Sequence, residues 1–493
     1  MKGIMIQGTA SDVGKSYITT AICRILANKG YNVAPFKSQN MSNNSYVTTD
    51  GKEIGRAQGV QAEAAKQEAN VHMNPILLKP QKDTQSEIVL HGEVFKSYDG
   101  FSYRNDFCLT TGLNAIKQSL NFIEENYDYV VIEGAGSPSE VNLNDKEIVN
   151  MRVAEAADVD VILVTDIDRG GSFGSIVGTL ELVFEHRHRI KGVIFNKFRG
   201  DIRLLQDGLD WVEEYTGVKV LGVIPYLSDV YVEVEDAQSN ALEHNFDTDN
   251  PLDICVIHME RVSNNTDLEP FIHENDTRIR IVRKASQFGN PDAVIIPGTK
   301  STIADLETLK ETGLADKITE YYRNGGQVFG ICGGYQALGQ TLTDPKGVDN
   351  LNQREVSGLN ILPVTTEFEV KKNVRLIKGQ IDNTFTNQDV SGYEIHLGKT
   401  EHLTECDYFA KLEDGTLDGC VIEEGRVVGT YLHNIFHNDK FRNEWLNRLR
   451  SIKGIEQQDV VNTSMIKEQS YEKLAEIVEE HIDMDLLMEL VNN

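Results

Sequence analysis

Two consecutive α/β domains, each a largely parallel sheet with helices on both faces, are what this sequence predicts. Three observations carry the prediction. Short β-branched runs alternate with helix-period segments through the first half, a second series of the same kind follows, and a polar, acidic stretch ending in Asn-Pro separates them. A length of 493 residues agrees, being too long for one ordinary core.

In chain order, GIMIQG, YDYVVIEG, VDVILVTD, IKGVIFNKF and VKVLGVIP are apolar, short and followed by turn residues, as buried parallel strands are. Segments such as Ser16–Lys29 and Asn114–Asn126 between them have a helical period. The second series is LDICVIH, IRIVRK, DAVIIPG, GQVFGICGG and GRVVGTYLH. The expected division is a first domain over 1–235, a linker over 236–251, a second domain over 252–450 and a helical extension over 451–493.

Composition narrows the function classes. Hydrophobic residues at 40% and charged residues at 25% are ordinary globular values. No apolar run reaches the roughly 20 residues that span a membrane. The opening MKGIMIQGTASDVGKS reads as a first strand running into a glycine turn, not as a signal peptide. A formal charge of −28 repels nucleic acid and anionic membrane, so an anion site needs its own backbone or lysine donors. Six cysteines with irregular spacing and no CxxC argue against a disulfide framework and against structural zinc, and favour a reducing cytoplasm.

The first candidate site is GTASDVGKS, Gly8–Ser16, between a strand and a helix. Its glycines let backbone N–H groups turn toward an anion, and the helix adds its positive end. Gly8, Thr9 and Gly14 would shape the cradle, Lys15 would reach terminal phosphates, and Ser16 would ligate Mg²⁺. Five residues, not the usual four, separate Gly8 from Gly14. Glu133 closes a buried-type strand, where ligands of open α/β sheets gather, and its carboxylate can hold Mg²⁺ directly or through water. Asn196 also follows a strand; it reads an adenine edge or is an ordinary turn asparagine. The segment Pro35–Gln58, with Lys37, Gln39, Asn40 and Asp50, is too polar for a core. It reads as a loop beside the phosphate site that contacts substrate or metal, the alternative being a solvated loop; Asp50 is a candidate second Mg²⁺ or substrate contact.

The second candidate site is GQVFGICGGYQALG. Cys332 follows a strand and precedes two glycines and a helical run, which places its sulfur on a sharp strand-to-helix turn, the device of G-x-S-x-G hydrolases. A helix N-terminus favours a thiolate there. The N–H of Gly333 and those around Gly298, in Pro297-Gly298-Thr299, are candidate oxyanion donors. His433, just past the strand of GRVVGTYLH, is the expected base or cation partner; His437 is its local competitor.

On these residues the C-terminal half, GICGGYQALG with a distant YLH, resembles the class I glutamine amidotransferases. The resemblance implies that Cys332 attacks glutamine, with His433 as its base, and releases ammonia. Many members follow the histidine two positions later with an orienting glutamate; here that position is Ile435, a pattern that resembles the subgroup working with cysteine and histidine only and that leaves open what orients His433. The N-terminal half resembles dethiobiotin-synthetase-like ATPases of P-loop type. The fusion in this order is similar to the cobyrinic/cobyric acid amide synthases of the cobalamin pathway. FKSQNMSNNSYVT, DGKEIGRAQ, VIEGAGSPSEVNL, TDIDRGGSFGS, FNKFRGD and YEIHLG carry that likeness along nearly the whole chain.

The resemblance implies that ATP phosphorylates a peripheral carboxylate of a corrinoid and that ammonia displaces the phosphate. The implied substrate is adenosylcobyrinic acid a,c-diamide, amidated on its b, d, e and g side chains. Tyr393, Glu394 and His396 fall in YEIHLG without a role derivable from the sequence. The rival readings are a cobyrinic acid a,c-diamide synthase, a cell-wall amidotransferase, and a regulatory ATPase switch with an inactive glutaminase-like module.

Overall fold

A computed structural model describes residues 1–82, 84–228, 230–233, 250–349, 354–381 and 384–493. The chain divides into two units: Met1–Ala237 with Ser464–Asn493, and Gln238–Thr463. All but the last two residues of the expected linker lie outside the described residues.

The first unit is built on six parallel strands: β1 (Gly3–Gly8), β2 (Val33–Phe36), β3 (Tyr129–Glu133), β4 (Asp160–Asp166), β5 (Ile190–Phe198) and β6 (Lys219–Pro225). Their spatial order is β6-β5-β4-β1-β3-β2. β1, β2 and β3 are buried along their whole length, and β1 and β3 read as apolar runs for that reason, whereas β2 is not among the strands read from the sequence. Chain order reverses beside β1, so the loop after it opens into the crevice where such sheets bind ligands.

The segment Pro35–Gln58, read as a polar loop, is mostly not one: it begins in β2 and ends in a helix, with short strands and turns between. Residues 39–64 form the short strands Gln39–Met41, Ser45–Val47 and Glu53–Gly55, then the helix Arg56–Ala64. Many of its polar side chains are buried with partners, some within the segment and some beyond it. Ser45 Oγ donates to Glu53 (2.6 Å), Lys79 pairs with Glu53, Asn40 Nδ2 donates to Gln58 (3.1 Å), and Arg56 pairs with Glu233. A hydrogen-bonded polar set can line an interior that its composition alone would forbid.

The C-terminal residues belong to the first unit's core. Helices Thr463–His481 and Met484–Asn492 bury Tyr471, Leu474, Val478, Leu487 and Val491 in one cluster with Ile4, Ile6 and Ile22. Each such side chain contributes about 1.5–3 kcal/mol by leaving water. Fully buried Arg24 pairs with Glu468 and Glu472 of the first of these helices.

The second unit carries β7 (Leu252–Ile257), β8 (Thr277–Val282), β9 (Ala293–Ile296), β10 (Gln327–Ile331), β11 (Cys420–Ile422) and β12 (Val427–Thr430). The order is β8-β7-β9-β10-β12-β11, parallel except for β11. A further sheet, absent from the sequence reading, is dominated by the hairpin of Val364–Ile381 and Gln388–His402. Among the described residues no helix is long and apolar enough to cross a membrane.

Candidate functional sites

In the first unit, Gly8 ends β1 and the helix Lys15–Asn28 begins after Gly14. Gly14 has φ 94°, and a Cβ there would lie 2.2 Å from Asn196 Nδ2, so only glycine fits. No side chain caps this helix, which leaves its first N–H groups to an anion. Thr9 Oγ1 donates to Thr165 Oγ1 (3.1 Å). Lys15 folds over the loop, with Nζ 3.3 Å from the Ala10 carbonyl.

Glu133 is the electrostatic centre of this site. Its carboxylate accepts from Ser16 Oγ (2.8 Å), Lys37 Nζ (2.9 Å) and Gln61 Nε2 (2.5 Å). Burial alone would raise this carboxyl, but Lys37, with the Ser16 and Gln61 hydrogen bonds, holds it below the ordinary carboxylate range. A hydroxyl and an ionised carboxylate in contact are oxygen donors of the kind a hard cation takes.

Asn196 donates from Nδ2 to the Val13 carbonyl (2.9 Å) and so buttresses the loop. Gln39 accepts from the Tyr103 hydroxyl (2.5 Å). Asp50 is exposed in the turn between two short strands and accepts from Thr48 Oγ1 (2.5 Å). Thus Ser16, Lys37 and Glu133 meet, joined by Gln61, which the sequence did not single out.

In the second unit, Cys332 sits between β10 and the helix Gly333–Leu338 with φ 51° and ψ −107°, a conformation costing roughly 1–3 kcal/mol. Its neighbours enforce it. The Cys332 N–H donates to the Thr430 carbonyl (2.8 Å), and its own carbonyl accepts from the Gln336 N–H (3.0 Å). A Cβ on Gly334 would fall 2.0 Å from the Ile296 carbonyl oxygen, and one on Gly333 2.6 Å from Thr299 Cγ2. The turn packs against the end of β9, close to Gly298, where a Cβ would lie 2.9 Å from His433 Cε1.

His433 is fully buried just beyond β12. Its Nδ1 is 2.7 Å from Asp267 Oδ2, and Asp267 Oδ1 accepts the Asn434 N–H (2.6 Å). Burial alone would push the imidazole down, but the Asp267 carboxylate and the Cys332 thiol raise it to about 10. Asp267 lies in the 3₁₀ turn Asn265–His273, and it orients the imidazole. No sequence signal pointed to it. His437 is engaged elsewhere, with Nε2 2.9 Å from the Thr266 carbonyl, and its segment is a single 3₁₀ turn.

YEIHLG acts through this geometry. Tyr393 and His433 exchange backbone hydrogen bonds, and their rings stack at 5.2 Å. The Ile395 carbonyl accepts from Cys332 Sγ at 3.6 Å. Glu394 binds Arg375 (2.8 Å) and Asn373 (2.8 Å), while His396 stacks on Tyr431 at 3.8 Å. Glu394, His396, Arg375 and Tyr431 border a cavity of about 380 Å³.

Known families match both units. The CobQ/CobB/MinD/ParA nucleotide binding domain matches residues 4–240, and the CobB/CobQ-like glutamine amidotransferase domain matches residues 253–441. A cobyric acid synthase of Geobacillus sp. (strain WCH70) is 49% identical over 99% of this chain and 97% of its own length. Those of Anoxybacillus flavithermus (48%, 98% and 95%) and Clostridium tetani (44%, 99% and 98%) are similar throughout. The chain belongs to the cobyric acid synthase family. As a cobyric acid synthase family member it is a glutamine-hydrolysing ligase that uses ATP to form amides in cobalamin biosynthesis, with glutamine and a corrinoid as substrates.

Proposed function

We propose that the chain converts adenosylcobyrinic acid a,c-diamide to adenosylcobyric acid by amidating its b, d, e and g carboxylates. The observation that carries this reading is one chain holding both a strained cysteine beside an Asp267–His433 pair and an uncapped phosphate loop beside Glu133. The proposed setting is the cytoplasm, in keeping with the low density of cysteines.

In the second unit, the Cys332 thiolate attacks the side-chain amide carbon of glutamine. Protonated His433 stabilises that thiolate and then gives its proton to the departing ammonia, and Asp267 keeps the imidazolium in place. N–H groups at Gly333 and Gly298 receive the developing oxyanion. Water, deprotonated by His433, cleaves the thioester to glutamate. In the first unit, Gly8, Thr9, Gly14 and Lys15 hold ATP, with Asn196 supporting the loop. The substrate carboxylate takes the γ-phosphoryl group and releases ADP. Ammonia then attacks the acyl phosphate, and phosphate leaves. Ser16 and Glu133 would hold Mg²⁺, which supplies charge neutralisation at the phosphates. Lys37, Gln39, Asn40 and Asp50 are proposed to face the corrinoid.

The test is product mass with ATP, glutamine and Mg²⁺. The a,c-diamide should lose one mass unit at each amidation, up to four. Reaction only with cobyrinic acid, stopping after two, would instead make the chain an a,c-diamide synthase.

A further inference from the structure

Three side chains with metal-binding atoms meet outside both sites. His402 ends the strand Gln388–His402, Cys406 lies in the segment that follows, and Cys420 begins β11. Cys406 Sγ is 3.2 Å from His402 Nδ1 and 2.7 Å from Cys420 Sγ. All three donor atoms lie within 4.8 Å of one another. Their spacing in the chain gave no hint of this, because the fold, not a CxxC turn, brings them together.

The histidine is set in the form a metal needs. Its Nε2 is 3.1 Å from the Gly419 carbonyl. A carbonyl only accepts, so Nε2 carries a hydrogen, and Nδ1 is the ring atom left facing the sulfurs. A backbone carbonyl behind the imidazole is the usual outer partner of a ligating histidine. Tyr408 stacks on the ring at 4.6 Å and fixes its plane. The Val421 N–H donates to the Asp407 carbonyl (2.7 Å), which holds the Cys406 segment against β11.

We propose that His402, Cys406 and Cys420 bind one zinc ion, with solvent as the fourth ligand. Two sulfurs and an imidazole suit zinc rather than magnesium or calcium. His402 and Cys406 are half-exposed, so water reaches the remaining position. On binding, two protons leave the three side chains for solvent, two Zn–S bonds and one Zn–N bond form, and no electrons are transferred. The two thiolates neutralise the ion. Zn–S bonds of about 2.3 Å set tetrahedral sulfurs about 3.8 Å apart, so the sulfurs must separate by about 1 Å. The site would pin the 403–409 segment to β11. Asp418, which precedes Cys420 by two residues, pairs with Thr430 and accepts the Tyr431 N–H (3.1 Å) in the run leading to His433.

The experiment uses the full chain carrying Cys332→Ala, so that the catalytic thiol cannot bind metal. After chelator stripping it is titrated with Zn²⁺ against a chromophoric chelator, and with Co²⁺ by absorption. One equivalent should bind, with thiolate-to-cobalt charge-transfer absorption, and the 403–409 amides should gain protection from hydrogen exchange. Cys406→Ser, Cys420→Ser and His402→Gln should each lose the tight equivalent. If a variant does not fold, the cobalt spectrum of the Cys332→Ala chain decides alone. No charge-transfer absorption, or zinc binding unchanged in folded variants, overturns the proposal. So does a protein in which two thiols are missing and the mass is two units lower, because the pair is then a disulfide.

Discussion

At Asp267 one carboxylate does two things: it receives the Asn434 N–H (2.6 Å) and meets His433 Nδ1 (2.7 Å), so the loop and the ring are fixed together. Asp267→Asn preserves the shape and removes the charge that raises His433. We expect glutamine hydrolysis to fall about 10²-fold or more, measured as glutamate release, while synthesis from added ammonium salt persists. The pair also sets a pH dependence. The imidazole stands at about 10 in the fold against 6.5 when unperturbed. Its contribution to stability is therefore fully present below about 6.5 and is lost as pH rises through about 10. Denaturant midpoints for the second unit should fall across that window, and fall less in Asp267→Asn. His433 was legible because it follows a strand end. Asp267 was not, because it stands 166 residues upstream in a turn with no motif. The position where the sequence pattern looks for an orienting residue is Ile435, but the ring is oriented from another element.

Strand-to-helix turns were the most legible elements. Glycines around Cys332 and Gly14 mark places where backbones approach too closely for a side chain, and that requirement is written in residue type. Gly334→Ala tests it: the added Cβ would lie 2.0 Å from a backbone oxygen that cannot rotate away. A loss of at least about 1–3 kcal/mol is expected, read as a lower denaturant midpoint, together with loss of glutaminase activity. The structure of the polar Pro35–Gln58 segment and the long hairpin were hidden for the opposite reason. Buried polar residues there are matched across strands, and single-sequence polarity cannot show matching. In Val364–Ile381 burial alternates only at the two ends, at Val364, Thr366 and Phe368 and at Ile377, Gly379 and Ile381, and the exposed middle breaks the pattern that would mark one long strand. The final helices were legible as helices but not as core, since their partners lie at the other end of the chain. Leu474→Ala should cost about 2–5 kcal/mol in the first unit, by chemical denaturation, while glutamine hydrolysis is retained.

For the molecule as a whole, the two units divide one chemical difficulty. A carboxylate is a poor electrophile, so one unit activates it with ATP; ammonia is mostly protonated at neutral pH, so the other releases it from glutamine. In the proposed reading an acidic chain of charge −28 holds ATP through backbone N–H groups, a helix end and Lys15 rather than through surface charge. This division predicts an asymmetry between two substitutions. Cys332→Ala should abolish corrinoid amidation with glutamine and leave it with added ammonium salt, because only the nitrogen source is lost. Lys15→Ala should abolish amidation with either donor while glutamate release continues, because no acyl phosphate forms. Both are read by product mass and glutamate assay under one set of conditions. Equal loss with glutamine and ammonium in Cys332→Ala would mean that the thiol serves the synthetase step as well, and the separation of the two reactions would fail.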